Sequence, residues 1–158
     1  MEPLKTLLSS AKIPSEIRNQ TSNKSQSTMG RDLDVVVFGA TGDTGVASSD
    51  FLFFRGKTIG VRSWAPAARN MKKLNRVLAH VVGSDAKPAP KGGVAPSPAI
   101  TADSNDLGSL VAMAKRARVV VACAGPFAKY GENVIRACVE AGTHYVDITG
   151  ETAWVNKM

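Results

Sequence analysis

Three glycines stand at positions 39, 42 and 45, a GxxGxxG spacing within Gly39-Ala40-Thr41-Gly42-Asp43-Thr44-Gly45. The run before them, Val35-Val36-Val37-Phe38, is continuously apolar and β-branched, as a strand buried on both faces must be. A strand that breaks into such a turn and then enters a helix forms a seat for a diphosphate. The first glycine permits the tight turn, the second lets the backbone approach the pyrophosphate, and the third lets the helix pack against the strand. The N–H groups and partial positive charge at the helix start then face the phosphates. Alone, a glycine triplet fits a structural turn equally well. The strand before it and the helix after it make it a dinucleotide motif, with Gly39, Ala40, Thr41, Gly42, Asp43, Thr44 and Gly45 as candidate cofactor contacts.

The dinucleotide type is set at the end of the next strand. An acid there binds the ribose hydroxyls of NAD, whereas an arginine meets the 2′-phosphate of NADP. The segment Trp64-Ala65-Pro66-Ala67-Ala68-Arg69-Asn70 holds no acid, and Arg69 lies 24 residues after Gly45. NADP is therefore expected over NAD, with the guanidinium gripping the phosphate and stacking on the adenine. Asp103 follows a third strand, where it either accepts from the adenine amino group or caps the next helix. Ala124, Gly125 and Pro126 end a fourth strand, on the nicotinamide side if ligands lie beyond the strands' carboxyl ends. The catalytic residues stay unknown. A Tyr-x-x-x-Lys pair is absent, His80 and His144 read as structural or surface groups, and Asp147 and Glu151 read as capping groups.

The elements around these residues alternate. Strands are expected near 34–38, within 59–69, at 99–102, at 118–124 and at 145–148. Helices are expected through Phe54 with Gly56 as the stop signal, then over 70–80, 105–117 and 132–141, with a further helix beginning at Ala153. Gly142 fits a left-handed cap. Five rounds of strand and helix imply an α/β fold, a doubly wound parallel sheet of Rossmann type with about five strands. Residues 1–30 read as a disordered or targeting tail, 31–158 as the nucleotide-binding domain, and 83–98 as a Pro/Gly-rich surface loop within it.

A formal net charge of +7 favours anionic partners, or simply a solvated basic surface. Lysine and arginine are scattered, and no RNP-like motif, zinc-finger spacing or helix-turn-helix cue occurs, so no nucleic-acid partner is expected. Cys123 and Cys138 lack CxxC spacing and read as buried thiols in a reducing compartment, with no metal site and a cytoplasmic location.

These residues together resemble the saccharopine dehydrogenase-like oxidoreductases, a group that includes the trans-acting enoyl reductases. The resemblance is carried by Val35 through Gly45, by Ala67-Ala68-Arg69-Asn70, and above all by Ala124-Gly125-Pro126-Phe127, Lys129-Tyr130-Gly131-Glu132 and Ala137 through Glu151. It implies NADP binding, with Gly39–Gly45 on the pyrophosphate and Arg69 on the 2′-phosphate. It also implies hydride transfer to an imine or activated double bond of a small-molecule or lipid-like substrate. Peripheral membrane or lipid-droplet association, or a mitochondrial location, are further implications. Asp43 departs from the family's usual aromatic, Ala68 from its glycine, and Pro66 interrupts the second strand. The sixth strand and the substrate domain are expected to lie beyond this chain. For the chain in isolation, two alternatives stand beside the oxidoreductase reading: a non-catalytic nucleotide-binding or sensor module, and an inactive truncated fragment. The oligomeric state is not legible.

Overall fold

The structure is a computed structural model that describes residues 30–83 and 88–158. The expected tail therefore lies outside the described residues, apart from Gly30, as do positions 84–87 of the expected loop. Five strands form one parallel sheet: β1 (Leu33–Phe38), β2 (Trp64–Ala68), β3 (Ile100–Thr101), β4 (Ala117–Ala122) and β5 (His144–Asp147), in the order β3-β2-β1-β4-β5. Val36 pairs with Ala65 on one side and Val120 on the other. The chain winds outward from β1 to β3, then crosses back to lay β4 against β1. The strand order thus reverses between β1 and β4.

The helices are α1 (Asp43–Arg55), α2 (Met71–Val82), α3 (Leu107–Arg116), α4 (Phe127–Ala141) and α5 (Thr152–Val155). Alternation along β1 divides the core in two. Val37 packs with Leu52 and Phe53 of α1 and Leu74 of α2, while Val36 and Phe38 pack with Leu110 and Met113 of α3 and Val134 of α4. Both faces of the central strand are thereby buried, which is why its sequence is apolar without alternation.

Pro66 fits inside β2 because of which neighbour it faces. Gly39 N donates to Ala67 O, whereas Ala102 N donates to Ala68 O, so alternate residues serve β1 and β3. Pro66 shares the β3 side, where β3 begins only opposite Ala67, and its missing donor falls at the edge of the pairing.

Two local features differ from expectation, and two more were not anticipated. Helix α1 ends at Arg55 with Gly56 as its C-cap, as expected, but Gly56 is right-handed helical (φ −52°) and opens a 3-10 turn to Ile59, and Gly60 takes the positive φ of 83°. Gly56 is small because Val94 packs over it: a Cβ there would lie 2.9 Å from Val94 Cγ2. The stretch expected as a surface loop is buried at Gly93 and Val94. Trp64 Nε1 donates to Val94 O (2.8 Å), and a Cβ on Gly93 would meet Phe53 O at 1.7 Å, so this segment straps the carboxyl end of α1. Helix α4 starts at Phe127, ahead of Glu132, because the Glu151 carboxylate accepts from the amides of Phe127 (2.6 Å) and Ala128 (2.9 Å). Finally, Arg31 fastens the opposite edge of the sheet, donating to Ala117 O, Thr143 Oγ1, Ala141 O and Gly142 O at 2.6–2.8 Å. Gly142 itself is left-handed (φ 62°), as expected.

Both cysteines are free. Burial pushes the Cys138 thiol up to about 11 against a partial offset from Arg31, and burial likewise raises Cys123. Neither is a ready nucleophile.

Two stability predictions follow from the packing. Gly39 has φ +82°, and a Cβ on it would sit 2.7 Å from Ala124 N, whereas a Cβ on Gly42 meets nothing nearer than Gly39 O at 3.6 Å. Gly39→Ala is expected to cost about 3 kcal/mol or more and Gly42→Ala no more than about 0.5 kcal/mol, measured by urea unfolding. Comparable losses at both positions would contradict this geometry. Glu151→Ala is expected to cost about 1–2 kcal/mol by removing a two-point, charge-assisted helix cap, and Glu151→Gln less. An unchanged midpoint for Glu151→Ala would show that α4 needs no such cap.

Candidate functional site

The carboxyl ends of β1, β2, β3 and β4 enclose a crevice of about 300 Å³, at the lower end of the range of small-molecule pockets. Phe38, Gly39 and Thr41 form its floor at the end of β1. Ala68, Arg69, Asn70 and Lys73 come from the β2–α2 junction, and Ala102, Asp103 and Ser104 from the end of β3. Ala124, Gly125 and Tyr130 close it from the β4–α4 side. The crevice lies at the reversal of strand order, where ligands of open α/β sheets bind.

The glycine turn has divided duties. Gly39 touches Ala124 across the strand gap, and a Cβ on Gly45 would fall 2.2 Å from Gly39 O, so both are places of closest approach. Ala40 is fully buried and its amide donates to Ala67 O (3.2 Å); it offers the crevice neither side chain nor donor. Gly42 is exposed and open above. Asp43 and Thr44 are exposed in the first turn of α1, and neither lines the crevice. A carboxylate at Asp43 suits the positive end of α1.

Helix starts supply the sharpest contrast. Asn70 Oδ1 accepts from Lys73 N (2.9 Å) at α2, Asp106 Oδ1 from Ser109 N (3.2 Å) at α3, and Glu151 caps α4. At α1 the N-cap is Gly42, and no side chain of the described residues accepts from its first turn. Its first-turn amides are left for an acceptor from outside.

At the other end of the crevice, Arg69 and Lys73 are both exposed, and among the described residues no carboxylate pairs with either. Lys73 was not among the expected site residues. Its signal was there: the first turn of α2 carries no acid but holds Lys72 and Lys73, which opposes the helix dipole. Such a placement is costly unless an anion comes to it. Asp103 does not cap α3, since Asp106 does; its Oδ1 accepts from Asn105 N (3.0 Å) in a tight local turn. Asn70, Ser104 and Tyr130 were likewise not anticipated. Pro126, exposed, is the N-cap residue of α4 and follows a cis peptide bond from Gly125; it does not line the crevice.

Beyond β5 the expected capping groups form a chain. Tyr145 Oη donates to Asp147 Oδ2 (2.7 Å), Thr149 N to Asp147 Oδ1 (3.1 Å), and Glu151 N to Thr149 Oγ1 (3.1 Å). Burial, and the Asp147 carboxylate beside it, push the Tyr145 hydroxyl above its ordinary range, so it stays a donor. This chain holds Glu151 beneath α4 and thereby fixes the wall that carries Tyr130.

Two other hollows are poorer candidates. One of about 430 Å³ at the amino edge is lined by Arg31, Arg62 and Arg118, but Asp34 pairs with Arg62 (3.6 Å) and Arg118 (3.5 Å), and Arg31 is engaged with backbone carbonyls. The other, about 420 Å³, is lined chiefly by apolar residues such as Val35, Val121, Phe51 and Ile59, with no cation. Among the described residues no group of His, Cys, Asp and Glu could hold a metal ion, and no helix is long and apolar enough to cross a membrane.

Comparisons with known proteins identify the domain. Residues 35–157 match the family model of the saccharopine dehydrogenase NADP-binding domain. A "Lipid droplet localized protein" of Caenorhabditis elegans is 42% identical over 125 residues, covering 79% of this chain and 28% of that protein. A trans-acting enoyl reductase of Mycobacterium tuberculosis is 37% identical (77% of this chain, 26% of the relative). A saccharopine dehydrogenase-like oxidoreductase of Bos taurus is 38% identical (83% and 30%). The chain thus spans under a third of the length of these curated relatives. Saccharopine dehydrogenase of Saccharomyces cerevisiae superposes with a TM-score of 0.55 at 14% identity, over 79% of this chain and 23% of that one, which shows the shared fold. With the glycine turn, the arginine after β2 and a family match over most of its length, this chain belongs to the saccharopine dehydrogenase NADP-binding domain family.

Proposed function

We propose that the crevice holds NADP(H) in one orientation, as the cofactor-binding part of an oxidoreductase. The diphosphate rests on the open first turn of α1 beside Gly42, and the 2′-phosphate lies between Arg69 and Lys73. The observation that carries this reading is the pairing of a glycine-opened helix start with two cations, neither capped nor ion-paired among the described residues. Arg69 and Lys73 border the crevice, Gly39 and Thr41 lead from it to the open helix start, and the small residues Gly39, Ala68 and Ala124 leave room for a flat ligand.

Bound NADPH supplies a hydride. The chain's own residues bind and orient: α1 amides take phosphate oxygens, Arg69 offers a planar bidentate fork, and Lys73 adds a point charge. Ala124 and Gly125 leave room towards the nicotinamide side. Asp43 stays in solvent, where screening softens its repulsion of the diphosphate. The hydride acceptor in the whole protein is an imine or activated double bond, on a lipid-like molecule if the enoyl reductase and lipid-droplet relatives are guides. Peripheral contact with a lipid surface fits the same relatives and the +7 net charge.

Titration calorimetry with NADPH and NADH tests the assignment. Arg69→Ala is expected to weaken NADPH about 10- to 100-fold, as loss of charge-assisted bonds implies, and NADH hardly at all. Lys73→Ala is expected to show the same selectivity at about 3- to 10-fold. Equal losses for both cofactors would remove the 2′-phosphate from this corner.

A further inference from the structure

Tyr130 lines the crevice, yet it is neither a phosphate ligand nor part of the strand ends. Helix α4 sends Phe127, Val134 and Cys138 into the core, and position 130 continues that stripe at helical spacing. At this end, however, position 130 lies in the first turn of α4, just after β4 has stopped at Ala122. The core stripe therefore ends in a half-buried aromatic facing a cavity instead of a strand.

Its position is held from several sides. Asn133 Nδ2 donates to Ser104 O (2.9 Å), tying α4 to the loop that carries Asp103. A Cβ on Gly131 would collide with the Trp154 ring at 2.7 Å, so α5 is seated against the same turn. The Lys129 ammonium lies over the Tyr130 ring, 5.1 Å from its centroid, and leaves the rest of the ring to border the crevice. The hydroxyl has no hydrogen-bond partner among the described residues. What Tyr130 offers is a π-surface on a crevice whose lining it shares with the Arg69 guanidinium and the Asp103 carboxylate.

That set matches a purine. We infer that Tyr130 is the adenine-positioning residue of the cofactor site: the base lies between its ring and the Arg69 side chain, with its amino group towards the Asp103 carboxylate. The inference rests on the NADP(H) reading and deepens it. It assigns affinity for the adenosine half to stacking, which every purine face allows, in addition to the phosphate contacts.

The test uses adenosine 2′,5′-bisphosphate, which carries the base and both phosphates without nicotinamide, and inorganic pyrophosphate, which carries no base. Binding is measured on the wild type, Tyr130→Phe, Tyr130→Leu and Tyr130→Ala, each checked for folding by circular dichroism. Tyr130→Ala and Tyr130→Leu are expected to lose about tenfold for the bisphosphate, Tyr130→Phe no more than about twofold, and all four to bind pyrophosphate alike. Wild-type affinity in the folded Leu and Ala variants overturns the stacking role while leaving the cofactor reading in place. So does a Phe variant as weak as Ala, which would make the hydroxyl the contact. No binding of the bisphosphate to the wild type overturns both.

Discussion

The end of β1 touches the end of β4 through a residue that can have no side chain. Gly39 carries a positive φ and presses on the Ala124 backbone, so the two strands at the reversal of the sheet approach until only a narrow crevice remains above them. Everything else at the site is arranged around that contact. Because β1 ends there, α1 must begin within a few residues, and it can do so only if Gly45 lets the helix lie on Gly39 O. The helix start thereby follows directly on Gly39 and Thr41, which line the crevice. Its first-turn amides are the donors nearest to the place where the diphosphate is proposed to lie. A single steric constraint thus sets both the shape of the cavity and the polarity of one end.

Charge supplies the other end. The amino edge of the sheet is also rich in arginine, but there Asp32 and Asp34 answer it and Arg31 is consumed by carbonyl groups. At the carboxyl edge neither Arg69 nor Lys73 forms an ion pair among the described residues, and two lysines occupy a helix turn where the dipole disfavours them. Uncompensated positive charge at a helix start is tolerable when anions visit. The same chain therefore uses similar residues for structure at one edge and for binding at the other. The difference lies in partners and not in residue type.

The order and kinds of element were legible because burial writes itself into composition: Val35–Phe38 and Val119–Ala122 are apolar on both faces, and the turn glycines separate strand from helix. The crevice residues at strand ends, Gly39, Arg69, Asp103 and Ala124, could be read by counting from those strands. What stayed illegible depends on long-range contacts. Helix α4 begins early because of a carboxylate 24 residues away. Gly56 and Gly93 are small because other segments lie on them, not because the chain turns. Lys73 looked like any surface lysine until the crevice was seen to take it in beside Arg69. Tyr130 became a site residue only when it was found lining the crevice with Ala124 and Gly125.

Amide chemical-shift mapping of the protein titrated with NADP+ is the most direct measurement of whether a diphosphate seats on the start of α1. The largest shifts should fall on the amides of Thr41 through Gly45, with a second group at Arg69–Lys73, and the amino edge around Asp34 and Arg118 should stay still. Shifts confined to that amino edge, or an unmoved glycine turn at saturating cofactor, would contradict the account.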